Sequence, residues 1–367
     1  MMTARKPRDL TSDTERVLEV YQQTKSIRGT ADALGMKYDA VQKRIKRSGV
    51  EPVLPVRGQT STLVDKDGNT IVQWIKGGKE ALSAEEAAKT ILDVLKGYKP
   101  PAALKTAPRG KCDKDLFTLV PLADLHLGLL AWHRETGTDW DLSIALKTLL
   151  PVIDSLISVL PVCSEITILG LGDLLHADNY LNRTSRAGNA LDVDGRYPKI
   201  LEAATKLILH CADRCAGRAN KVRIRILPGN HDDVSSIAVS HALALRYENS
   251  KNISVDTDYG RYWYYQWGEC LLGATHGDQA KMRDFPGICA TQVPKLWGAT
   301  KHRALFTGHI HQQSSIEKHG AIVESLQSPT APDAWTVGMG YGGGRSMQAI
   351  TYHKTKGEVM RNRVNLK

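Results

Sequence analysis

The chain has 367 residues, of which 42% are hydrophobic and 24% charged, and its formal net charge is +10. No run of about 18 apolar residues is present, and the opening MMTARKPRDL has positive charge but no apolar stretch, so neither a membrane span nor a secretory signal is expected. Six cysteines without a CxxC pair fit neither a disulfide framework nor a zinc ribbon; they point to a reducing cytoplasm.

At roughly 100–200 residues per domain, the length calls for two domains, or one with an appendage. Residues 1–115 hold 22 Lys and Arg against 15 Asp and Glu, a net +7 of the whole +10. A basic N-terminal third suits a polyanion, most simply nucleic acid.

Residues 1–50 are predicted to form a small all-α domain. TERVLEVYQQTK is an amphipathic helix with Val17, Leu18 and Tyr21 on one side. In GTADALGMKYDAVQKRIKRSG, Ala31, Gly35 and Val41 fall at relative positions 5, 9 and 15 of a helix-turn-helix. Ala31 lets the helices approach, Gly35 supplies the turn, and Leu34, Val41 and Ile45 fill the junction. The second helix then offers Lys37, Tyr38, Gln42, Lys43, Lys46 and Arg47 to a DNA major groove. The segment resembles helix-turn-helix DNA-binding units.

Residues 51–113 read as a linker or arm. Pro52, Pro55 and Gly58 lead into a β-hairpin, STLVDKDGNTIVQWIK, turning at Asp67, Gly68 and Asn69. A helix follows, with a capping box at Ser83 and Glu86, Gly97 at its end, and an apolar face of Ala87, Ala88, Ile91, Leu92 and Leu95. YKPPAALKTAPRGK is a Pro-rich basic tether.

Residues 114–367 change pattern. LFTLVPLAD, EITILGLGD and KVRIRILPGN are strand-like, with helices near 142–160, 199–216 and 235–248 between and after them. From about 252 the strands NISVDT, RYWYYQW, CLLGATHGD, ALFTGHIH, AIVES and MQAITYHK crowd together. The expectation is an α/β fold with two packed sheets, a four-layer α/β/β/α sandwich, its site at the carboxyl ends of the strands. GMGYGGGRS reads as a surface loop. Residues 177–198 form a polar insertion whose Arg183, Arg186 and Arg196 either hold phosphates or are simply solvated; its DVDG lacks the rest of a calcium loop.

Polar residues gather after the strands: Asp124 and His126 in LADLHLG, Asp173 and His176 in GLGDLLH, Asn230, His231 and Asp232 in LPGNHDD, His276 in ATHGD, and His309 and His311 in FTGHIHQ. Imidazole, carboxylate and one amide, without thiolate, suit Mn²⁺, Fe or Zn²⁺ rather than Ca²⁺. There are too many ligands for one ion. Asp124, His126, Asp173 and His311 can surround a first, and Asp173, Asn230, His276 and His309 a second, with Asp173 shared.

D-x-H, G-D, G-N-H-D, H and G-H-x-H, in that order across residues 116–315, resemble the calcineurin-like metallophosphoesterase superfamily. DLHLG, and His176 after the G-D block, are most similar to the Mre11/SbcD nuclease branch. The resemblance implies two divalent cations, Mn²⁺ first with Fe, Zn²⁺ or Mg²⁺ as alternatives, and attack by a metal-bridging hydroxide. It implies that His231 contacts the phosphate and protonates or stabilises the leaving oxygen, and that His176 approaches the scissile phosphate. Asp232 is expected to orient His231. The 56 residues after His311 leave no room for that branch's capping domain or ATPase-binding helices, so no ATPase partner is expected. The expected function is a cytoplasmic, dinuclear-metal DNA nuclease with DNA as partner and no membrane; its oligomeric state stays open. The fusion is similar to phage and mobile-element proteins. The alternatives are a phosphoesterase acting on nucleotides or cyclic dinucleotides, and a DNA-binding protein with a vestigial site.

Overall fold

The structure, a computed structural model, describes residues 12–24, 27–48, 60–64, 70–75, 92–99, 111–184 and 187–366. The chain divides into two compact units, Met1–Glu80 and Ala81–Lys367.

In the first unit, apolar residues one turn apart define three helices: α1 (Ser12–Thr24), α2 (Ile27–Leu34) and α3 (Tyr38–Ser48). The pairs Val17 and Tyr21, Ile27 and Ala31, and Val41 and Ile45 are all buried and form one core. Helix α2 ends in a Schellman motif, where Gly35 (φ +62°) and Met36 donate to the carbonyls of Asp32 and Ala31. Nothing lies within 4 Å of a Cβ built at Gly35, so the left-handed φ, not space, calls for glycine there. Strands β1 (Thr60–Val64) and β2 (Thr70–Ile75) pair antiparallel, Thr60 opposite Ile75, with a register shift at Leu63 and Val64. The expected turn at Asp67, Gly68 and Asn69 lies outside the described residues.

The second unit begins, among the described residues, with helix α4 (92–97). Val94 is buried, and Leu95 and Tyr98 pack on the main core, but Leu92 is 46% exposed and does not belong to the apolar face assigned to it. Tyr98 Oη donates to Asp213 Oδ2 at 2.8 Å. The other residues named for this helix, Ser83, Glu86, Ala87, Ala88 and Ile91, lie outside the described residues.

Two sheets follow. Strands β3 (Asp113–Leu122), β4 (Cys163–Leu171), β5 (Ala219–Leu227) and β6 (Ile253–Asp256) run parallel in that order, and β12 (Arg345–His353) and β13 (Gly357–Leu366) add antiparallel beyond β3. The second sheet has the order β10 (Ser314–Lys318), β11 (Ala321–Ser325), β9 (His302–Thr307), β8 (Cys270–Thr275), β7 (Tyr262–Trp267).

Alternation along the strands sets the layers. Val120, Ile166, Ile168, Val222, Ile224 and Ile226 face α6 (Leu142–Ser158), α7 (Tyr197–Ala216) and α8 (Ser235–Tyr247). Phe117, Leu119, Leu169, Leu171 and Leu227 meet Trp263, Leu272, Ala274 and Phe306 of the other sheet. Leu271, Leu305 and Val323 point the opposite way, onto α9 (Phe285–Gln292) and α10 (Pro294–Ala299). The result is the expected four-layer α/β/β/α sandwich. Two short helices, α5 (His133–Thr136) and α11 (Ala334–Gly338), pack against each other at its rim. No described helix is long and apolar enough to cross a membrane.

Candidate metal centre

Backbone pairing continues past the ends of β3 and β4: His126 N and Leu127 N donate to the carbonyls of Asp173 and Leu174. Leu125 and Leu127 pack into the helix-side core, whereas Asp124 and His126, also buried, meet in one ligand group. Five of the candidate ligands, Asp124 (φ +49°), His126 (+40°), Asp173 (+51°), His309 (+71°) and His311 (+55°), hold left-handed backbone. Each such residue costs about 1–2 kcal/mol, and strain of this kind clusters where side chains must be aimed. Two glycines make the convergence sterically allowed. A Cβ on Gly229 would lie 1.9 Å from Asp173 Oδ1, and one on Gly308 would lie 2.4 Å from Asp124 Oδ2.

The seven candidate ligands gather into two groups, and a third set of side chains, His126, His176 and His231, shares His126 with the first. Asp124, His126 and His311 form one: His126 Nε2 is 3.0 Å from His311 Nε2, which is 3.5 Å from Asp124 Oδ1. Asp173, His276 and His309 form the other, and Asn230 joins it, its Oδ1 3.0 Å from His276 Nε2. Asp173 Oδ2 lies 3.2 Å from His276 Nε2 and 3.7 Å from His126 Nε2, so one oxygen faces both groups. Atoms sharing a cation at about 2.1 Å are separated by about 3 Å at right angles, and these spacings fit that. Hard oxygen and imidazole nitrogen, without sulfur, fit a divalent ion of the Mn²⁺, Fe or Zn²⁺ kind.

Surrounding bonds fix which atoms are offered. His276 Nδ1 donates to the Leu171 carbonyl at 3.0 Å, leaving Nε2 as the ligating lone pair. His309 N donates to both oxygens of Asp124, and His231 N donates to Asp173 Oδ1 at 2.9 Å. Ser328 Oγ donates to the Asp124 carbonyl at 2.7 Å.

The bare side chains are strongly coupled. Burial opposes charge on His276, but the charge and hydrogen bond of Asp173, with Asp124, lift it to about 10. Burial raises Asp173, yet His276, His231 and His126 hold it well below the usual carboxylate range. Burial, and then the charge of His231, pushes His126 well down and His176 down to about 3. Burial lowers His309, whereas Asp124 overcomes burial to raise His311.

Asp232 requires a correction. Its carboxylate is fully buried and accepts from four backbone N–H groups, those of Gly229 (2.9 Å), Asp173 (3.2 Å), Leu174 (2.7 Å) and Leu175 (3.2 Å). Burial, then the charge of Asp173, pushes it up to about 7 against those donors. The group that orients His231 is the His176 carbonyl, 2.8 Å from its Nδ1. Asp232 instead clamps the loop after β5 to the loop after β4. His176 sits behind His126, Nδ1 to Nδ1 at 3.1 Å, stacked on His231 and 1% exposed. Its Nε2 is buried without a hydrogen-bond partner.

Asp178, not singled out in the sequence, caps the start of α8: its carboxylate accepts from Val234 N, Ser235 N and Ser235 Oγ. Its signal was only proximity to His176. In the 177–198 insertion, Arg183 donates to the Gly188 carbonyl and Arg196 stacks over Tyr180 at 5.5 Å, so both serve the loop itself, while Arg186 lies outside the described residues. Asp194 of DVDG accepts from Leu142 N at 2.9 Å.

On α3 and the turn before it, Lys37, Tyr38 and Lys43 are exposed and Gln42 is half-buried. Lys46 and Arg47 belong to the helix, but their side chains lie outside what is described.

No family model matches the sequence, and no curated protein matches it significantly. Among solved structures, the chain is similar to Vps29 from Entamoeba histolytica complexed with Zn²⁺ (13% identity, 68% of this chain and 98% of that one, TM-score 0.29). It is similar to an archaeal phosphodiesterase (10%, 68% and 99%, TM-score 0.31) and to a predicted phosphoesterase from Streptococcus pneumoniae (9%, 69% and 100%, TM-score 0.29). These likenesses concern the backbone.

Proposed function

We propose that the chain is a divalent-cation-dependent phosphodiesterase that cleaves DNA, with the N-terminal helices contributing to DNA binding. One observation carries the reading: two ligand groups from distant loops meet around the single carboxylate of Asp173. When bound there, a pair of cations supplies positive charge to phosphate oxygens and acidifies a water that can attack phosphorus.

The chain's own residues do the rest. Asp124, His126 and His311 hold one side of the phosphate site, and Asp173, Asn230, His276 and His309 the other. Asp232 keeps the β4 and β5 loops in register, so the donors are set before substrate arrives. With Nδ1 committed to the His176 carbonyl, His231 has Nε2 left to meet the phosphate and hand a proton to the leaving oxygen. Water adds to phosphorus, the P–O ester bond breaks, and a monoester and an alcohol result.

DNA as substrate is favoured by the basic N-terminal third and by the exposed Lys37, Tyr38 and Lys43 around α3. The test is incubation with Mn²⁺ on single-stranded, duplex and circular DNA, with bis-p-nitrophenyl phosphate alongside. Cleavage of DNA and of the small diester is expected, and Asp173→Ala should abolish both. Hydrolysis of the small diester alone sinks the DNA reading; no hydrolysis of either sinks the phosphodiesterase reading.

A further inference from the structure

Residues 334–344, AWTVGMGYGGG, contain no charged side chain, yet the strip is well exposed. Trp335 is 65% exposed, Met339 55% and Tyr341 49%. The rings of Trp335 and Tyr341 have centroids 5.7 Å apart and are tilted by 57°. The strip is not a loose loop: Val337 N, Met339 N and Tyr341 N donate to the carbonyls of Asp333, Trp335 and Thr336. Asp333 turns its carboxylate inward to accept from Thr336 N at 2.8 Å.

The segment leading into the strip and the strip itself each approach the metal-bearing loops once. Ser328 Oγ bonds the Asp124 carbonyl. A Cβ on Gly343 would lie 3.3 Å from the His311 carbonyl oxygen. On its other flank α11 packs against α5, where Trp132 is half-exposed with the Arg134 guanidinium 5.5 Å from its ring. Large apolar groups left in water beside a reacting centre mark a binding surface.

Resting on the phosphodiesterase reading above, we infer that Trp335 and Tyr341 form a stacking platform for the bases of a single-stranded DNA segment flanking the scissile phosphate. The metal loops handle phosphate. The strip has no cation to grip phosphate and no carboxylate to repel it; what it offers is ring faces. Each base has a π-face whatever its identity, so such a platform holds substrate without reading sequence. A protein partner seated here would have to share the surface with the substrate's approach to His311.

The test uses the full chain with two oligonucleotides of equal length, oligo-dT and a fully abasic strand. Binding is read by tryptophan fluorescence and by KM and kcat with Mn²⁺. The wild type is expected to bind oligo-dT more tightly than the abasic strand. Trp335→Ala and Tyr341→Ala should each weaken oligo-dT binding roughly 5- to 100-fold, the contribution of one stacked base, appear in KM rather than kcat, and leave the abasic strand's affinity where it was. Trp335→Phe should keep the affinity but lose part of the fluorescence quench. Oligo-dT binding that is indifferent to both alanine variants overturns the platform while the phosphodiesterase reading stands. Equal losses on oligo-dT and the abasic strand overturn it too, because they indicate a general disturbance of the rim. A wild type that neither binds nor cleaves any DNA overturns the platform together with DNA as substrate, and hydrolysis of bis-p-nitrophenyl phosphate by the same sample decides whether the phosphodiesterase reading survives.

Discussion

Replacing Asp232 by Asn separates a clamp from a helper of His231. Oδ1 of Asp232 accepts from Gly229 N and Asp173 N, and Oδ2 from Leu174 N and Leu175 N. Whichever way an asparagine side chain is turned, its NH₂ faces two backbone donors. Those two N–H groups and the new amide are left buried and unpaired, at about 1–3 kcal/mol each. Relaxation recovers part of this, so the expected loss is about 3 kcal/mol, which lowers Tm by about 5–10 °C for a domain of this size. The measurement is thermal and urea unfolding of metal-free wild type and Asp232→Asn, with cation affinity by calorimetry. Cation affinity should fall as well, because the clamped N–H groups belong to Asp173 and its neighbours. If the variant melted with the wild type and bound cations normally while kcat collapsed, the clamp would be wrong and the helper role would return.

Gly229→Ala should lose at least about 100-fold in turnover, the usual cost of moving a catalytic ligand by about 1 Å, since its Cβ would overlap Asp173 Oδ1; wild-type rates would refute the close approach. The pH dependence follows from His276. Its imidazole is lifted to about 10 by Asp173, so the stabilisation from this pair is complete below the ordinary imidazole value and lost as pH rises through about 10. A cation must displace that proton, so affinity should rise about tenfold per pH unit near neutrality, and calorimetry in buffers of different ionisation enthalpy should register about one proton released; no release would contradict the charged pair. Lys43→Ala, on the exposed side of α3, should lower the salt slope of duplex binding by about 1; an unchanged slope would place the phosphate contacts elsewhere.

Much of the site was legible because each ligand follows an apolar run that ends abruptly. Val222, Ile224 and Ile226 alternate toward the helices, and Pro228 and Gly229 stop the strand where Asn230 is needed. The three-helix core was legible for the same reason, one apolar residue per turn. The partners of Asp232 were not, because three of its four donors lie 57 to 59 residues away on another loop. Strands β10 and β13 were missed: each sits at a sheet edge with partly exposed residues, so the two-residue apolar rhythm is faint. Helices α9 and α10 were hidden in short segments with proline at their first or second residue. GMGYGGG reads as a plain surface loop until the fold brings Gly343 to His311 and leaves Tyr341 beside Trp335.

The central claim is that Asp124, His126, Asp173, Asn230, His276, His309 and His311 surround two cations. Anomalous diffraction from crystals soaked in Mn²⁺ tests it directly. Two peaks about 3.5–4 Å apart, with the Asp173 carboxylate between them, are the predicted result. A single peak, or none within reach of Asp173, would contradict it.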